Sequence, residues 1–191
     1  VILLLAQVVL GEGHEDFQKL LGLAREELKK PWATRGLDVA SVTSALGKAP
    51  SAELSKVLGT GTQISKILAE GTRGNPRQIK RFLNSILLRL AVAEERGFAS
   101  ELDQSKLTKV MLAESFAPPF YLQLARMAVT SANGQVAALG QLEAYAGAGS
   151  SGDAKTASTT KDAEVDEWLR AEWIREWAAI APSLGTVDLR P

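Results

Sequence analysis

Residues 73–90 read "RGNPRQIKRFLNSILLRL". At about 100° per residue, Ile79, Phe82, Leu83, Ile86 and Leu90 fall on one side of a helix. Arg77, Lys80, Arg81 and Asn84 fall on the other. An apolar stripe opposite a polar one is the pattern of a helix laid on a core. The start of this helix is written into the sequence as well. Asn75 is a preferred N-cap, whose side-chain oxygen can take an orphan amide of the first turn. Pro76 follows at the first helical position, where its missing N–H costs nothing. Gln78 stands where a capping box would place its second member. Gly74 allows a left-handed entry.

Outward from this helix, the same periodicity continues in both directions and no strand alternation interrupts it. "VILLLAQVVL" predicts a buried helix over 1–10, broken by Gly11 to Gly13. "EDFQKLLGLAREELKK" predicts a second, with Phe17, Leu20, Leu21, Leu23, Ala24 and Leu28 inward and Pro31 as its stop. "LSKVLGTGT" is echoed ten residues on by "ISKILAEGT" and reads as two short helical turns. "LDQSKLTKVMLAESF" and "PPFYLQLARMAVTSANGQVAALGQLEAYA" are both helical in pattern. "GAGSSGDAKTASTTKD", residues 147–162, is small and polar, the composition of a flexible loop or linker. "EVDEWLRAEWIREWAAI" then predicts one amphipathic helix, with Val165, Trp168, Leu169, Trp173 and Trp177 forming an aromatic stripe for the core or for docking. Pro182 ends it and "SLGTVDLRP" trails off. The fold class is all-α, with domain boundaries at 1–146, 147–162 and 163–191.

Composition narrows the chemistry. The 22 basic and 22 acidic residues of this 191-residue chain leave no net field to draw it to nucleic acid or anionic lipid. There is no cysteine, which excludes disulfides and thiolate metal sites and fits a reducing cytoplasm. His14 is the only histidine. Glu12, Glu15 and Asp16 surround it, but their spacing matches no ligand pattern, so no metal site is expected. Glu26–Lys30 and Glu172–Arg175, with Glu176, read as ion pairs on helix surfaces. The opening apolar run is too short for a bilayer, which takes about 20 residues, and no basic residue precedes it. Neither a membrane span nor a signal peptide is expected.

The cations gathered at 73–81 raise the question of an anion. Arg77 lies in the first turn, where the helix dipole is already positive. A phosphate or carboxylate flanked by Arg73 and Arg77 would relieve that conflict. The competing reading is a solvated basic face.

"GNPRQIKRFLNSILLRL" closely resembles a motif in the helical lid of KAP-family P-loop NTPases. "VILLLAQVVL" with "FQKLLGLAREELKK" looks like the start of that lid, and "PSLGTVDLRP" resembles a phrase near the end of many bacterial members, some encoded in antiphage-defence operons. The likeness is strongest at 71–90 and 182–191 and weak over 130–165. It implies an irregular helical lid domain with a C-terminal amphipathic helix. It implies Arg77 as the catalytic, phosphate-sensing arginine, with Arg73, Gly74, Asn75, Lys80 and Arg81 binding nucleotide. It implies ATP and Mg²⁺ as cofactors of the intact parent protein, with none bound by this chain alone. The partner it implies is an upstream P-loop core, with other subunits reached through the Trp-rich helix. The chain itself carries no G-x-x-x-x-G-K-[ST]. Its one Gly-Lys pair, Gly47-Lys48, is followed by Ala49 and has Val42 where the first glycine belongs. No strand ends in an aspartate for the metal. The expectation is a lid whose core precedes residue 1 and which does not hydrolyse ATP by itself. The alternative is a nucleic-acid-binding or protein-interaction module built on helix 76–90.

Overall fold

The computed structural model describes residues 2–11, 13–29, 39–47, 49–98, 101–149 and 163–190. It is all-helical: α1 (Ile2–Leu10), α2 (Glu15–Lys29), α3 (Val39–Leu46), α4 (Ala52–Gly71), α5 (Pro76–Glu95), α6 (Gln104–Phe116), α7 (Pro118–Thr130), α8 (Ala137–Gly149), α9 (Ala163–Arg170) and α10 (Glu172–Ala178). Two compact units divide the chain, Val1–Ser85 and Ile86–Pro191. None of the described helices is long and apolar enough to cross a membrane.

In the first unit α1 packs on α4 and α2, and α3 packs on α2 and α4. Ala6, Phe17, Leu20, Val42, Leu54, Leu58, Ile64 and Leu68 are buried there. The echoed segments do not form separate turns. They are successive parts of one helix, α4, which passes through Gly59 and Gly61 without a break. Buried Leu54, Leu58, Ile64 and Leu68 run its whole length, and this apolar stripe outweighs glycine's low helix propensity, about 1 kcal/mol per residue. Ser51 caps it by accepting the amide of Leu54 at 3.2 Å.

In the second unit α6 packs on α7 and α10, while α8 packs on α9 and α10. Here two stretches of helical pattern are each broken in two. The first break is at 131–136. Asn133 turns the chain by accepting the amide of Gln135 at 3.1 Å, and Gly134 is left-handed at φ 71°. A Cβ on Gly134 would meet the Asp188 carboxylate, so a larger residue would have to displace that side chain as well as adopt a left-handed backbone. The second break is at Ala171, extended at φ −84°, ψ 113°. Trp168 and Trp177 are nine positions apart, or about 180° round an unbroken helix. The break turns both onto one side, where each meets Phe120 edge-on with ring centroids 5.2 and 5.1 Å apart. It also frees carbonyls at the end of α9, and Arg175 donates to that of Leu169 at 3.0 Å rather than pairing with Glu172.

Helix α8 continues to Gly149, three residues into the stretch that reads as a linker; residues 150–162 lie outside the described residues. Lys30 does too, and Glu26 instead pairs with Lys29 at 2.6 Å. The chain after α10 does not trail off. Leu184 is buried, the Leu189 amide donates to the Gly134 carbonyl at 3.0 Å, and Gln135 Nε2 donates to the Thr186 carbonyl at 2.9 Å.

Candidate functional site: the cationic corner between α4 and α5

Helix α4 ends in a paired-turn cap. The Gly74 amide returns to the Ala69 carbonyl at 2.8 Å and the Arg73 amide to that of Glu70 at 3.0 Å. This geometry needs a left-handed residue just past the helix end. Gly11, Gly47 and Gly97, at φ 82°, 65° and 78°, take that place after α1, α3 and α5. After α4 the residue is Arg73, at φ 51°, and Gly74 follows at φ 70°. An arginine there costs about 1–2 kcal/mol more than a glycine.

Helix α5 starts where the sequence predicts. Asn75 Oδ1 accepts the Arg77 amide at 3.0 Å, and Pro76 is the first helical residue. The capping box does not form. The Asn75 amide already donates to the Thr72 carbonyl at 3.0 Å, leaving nothing for exposed Gln78 to accept. Ile79, Phe82, Leu83 and Ile86 are buried. Leu90 is half-buried.

Arg73, Gly74, Asn75, Arg77, Lys80 and Arg81 are all exposed and lie within one corner and the first turns of α5. Six described cations elsewhere find carboxylates: Lys19 with Glu15, Lys29 with Glu26, Lys66 with Glu70, Arg89 with Glu114, Lys109 with Glu143 and Arg190 with Asp188. No ion pair joins Arg73, Arg77, Lys80 or Arg81 to a described residue. Four cations without counter-ions among the described residues, held by a fixed helix start, can meet an anion with several charged oxygens.

The other sequence candidates have local roles. His14 precedes α2 and caps it: its Nδ1 accepts the Asp16 amide at 3.2 Å. Gly47 is the left-handed stop of α3 and Val42 is buried within that helix, so this stretch has the geometry of a helix end. Among the described residues no group of three metal-ligating side chains comes together. Trp177 and Trp168, 0% and 3% exposed, are spent in the core of the second unit, which leaves half-buried Trp173 as the more accessible ring of the stripe.

A second polar cluster was missed by the sequence reading. Lys109 on α6 and Glu143 on α8 form an ion pair at 2.7 Å with side chains 1% and 6% exposed. The Lys109 ammonium also donates to the carbonyls of Ala178 (3.2 Å), Ile180 (2.6 Å) and Pro182 (3.1 Å). It stands 5.1 Å from the centre of the Trp177 ring, whose Nε1 donates to the Lys109 carbonyl at 2.7 Å. Glu143 accepts from the Ser183 hydroxyl and from the amides of Leu184 (2.9 Å) and Gly185 (3.0 Å). Burial pushes the Lys109 ammonium below the ordinary lysine value, against the opposing pull of Glu143. The signal was present in the sequence: Lys109 shares a helical face with Leu112, Ala113 and Phe116.

No family model, curated protein or solved structure matches the chain.

Proposed function

We propose that the corner between α4 and α5 binds the phosphates of a nucleotide. The chain then serves as the helical lid of a KAP-type P-loop ATPase, working with a P-loop core that supplies the Mg²⁺ site. One observation carries the reading. Arg73, Arg77, Lys80 and Arg81 stand exposed within nine residues of a chain of balanced charge, and none has an ion pair with a described residue. Arg77 leaves the first turn of α5, whose dipole favours the same anion. Its planar fork can span two phosphate oxygens and stabilise charge that develops on transfer. Lys80 and Arg81, one turn on, hold the rest of the phosphate chain.

Nucleic acid is the other polyanion with the right chemistry. The corner offers it few contacts, with no aromatic among the cations to stack a base. A titration of the chain followed by amide NMR separates the two. Without the core that completes the site, added ATP is expected to shift the amides of Gly74, Asn75 and residues 77–81 only weakly, and Arg77→Ala to abolish the effect. A DNA duplex should bind weakly, with a shallow salt slope of about −3. Tight duplex binding at physiological salt, lost in Lys80→Ala and Arg81→Ala but kept in Arg77→Ala, overturns the nucleotide reading.

A further inference from the structure

The segment after α10, residues 179–190, has little regular structure of its own, yet it is held at several points. Its strongest anchors are the two buried ions. Every hydrogen bond that the Lys109 ammonium donates beyond Glu143 goes to a backbone carbonyl at 178, 180 or 182. Every hydrogen bond that Glu143 accepts beyond Lys109 comes from residues 183–185. The ammonium therefore reads the last carbonyl of α10 and two carbonyls of the strap, and the carboxylate reads amides further along the same strap. We propose that Lys109 and Glu143 are a two-headed latch, and that the strap they hold has two states, seated and released, with none stable between.

The physical reason lies in what each head loses. A buried charge stripped of its hydrogen bonds is costly, and an ion pair left alone in an apolar seat keeps only part of its stabilisation. Lifting the carbonyls from Lys109 weakens the ion pair and loosens the grip of Glu143 on the amides. Each half therefore depends on the other. The backbone adds a steric key. Gly185 lies so close to Gly140 that a Cβ on it would come within 2.5 Å of the Gly140 Cα, so the strap seats in one register. Beneath it is an apolar cavity of about 40 Å³, with Val110, Tyr121, Leu124 and Trp177 on the helical side and Leu184 and Leu189 on the strap. Release of the strap opens this cleft to solvent.

Native-state hydrogen exchange tests the latch. The Leu184 and Gly185 amides bond to Glu143, whereas the Leu189 amide bonds to Gly134, away from both ions. A two-state strap makes all three exchange with one opening free energy and one denaturant slope, below those of Leu112 and Leu124 in α6 and α7. Glu143→Gln, which keeps the shape and removes the charge, is expected to speed all three by more than about tenfold while Leu124 stays within about twofold. Gly185→Ala, which leaves both ions in place and displaces the strap sterically, is expected to speed Leu189 likewise. Different opening energies for the three wild-type amides overturn the latch. So does acceleration of Leu184 and Gly185 alone.

Discussion

Arg73 stands where the caps of α1, α3 and α5 have glycine, in a left-handed conformation at φ 51°. Its side chain is exposed and has no ion pair with a described residue. A charge retained at a strained place is what an anion site would require. Arg73→Gly is therefore expected to raise stability to urea by about 1 kcal/mol, because glycine takes φ > 0 without the side-chain clash. The same change should weaken phosphate binding at the corner. A loss of stability would mean that the arginine makes a contact the fold depends on. Lys109 shows the opposite economy. Its charge is buried against a cost and is kept in place by four acceptor oxygens. A compact ammonium fits that cage where a planar guanidinium would not.

At the scale of elements, helix existence was legible and helix continuity was not. Asn75-Pro76 marks the start of α5 because capping is a local matter of one side chain and one amide. The break at Ala171 is not local. Residues 163–178 lack glycine and proline and read as a single helix. The fold divides them because Trp168 and Trp177 must both reach Phe120, a tertiary demand that no window of the sequence reveals. The linker prediction over 147–162 gives way at its edge, where α8 carries its helix on through small residues to Gly149. The break has a sharp consequence. Glu172 is the first residue of α10 and follows an extended residue, the setting proline favours. Glu172→Pro should be neutral or stabilising by up to about 1 kcal/mol. In an unbroken helix it would cost about 3 kcal/mol or more. The melting temperature of this variant distinguishes the two.

Over the whole molecule, the all-α class and the cationic corner could be read from periodicity and residue type, whereas the clamp on the C-terminal strap could not. Lys109 and Glu143 lie 34 positions apart, and the carbonyls they gather come from a segment that reads as a tail. Long-range polar pairing leaves no periodic trace; the only hint was a lysine placed on an apolar face. The corner was legible because its parts are neighbours in sequence. The function proposed for it rests on one arginine, and the most direct measurement is steady-state ATP turnover of a protein that joins this chain to the P-loop core the proposal requires, taken alongside the melting temperature. Arg77 is exposed, and Asn75 and Pro76 start α5 without its side chain. Arg77→Ala is expected to lower turnover by about a hundredfold or more, as for arginines that stabilise a transferring phosphoryl group, with a far smaller change in ATP affinity. The melting temperature should move by less than about 2 °C. Wild-type turnover in Arg77→Ala at an unchanged melting temperature would contradict the assignment of this corner to phosphate.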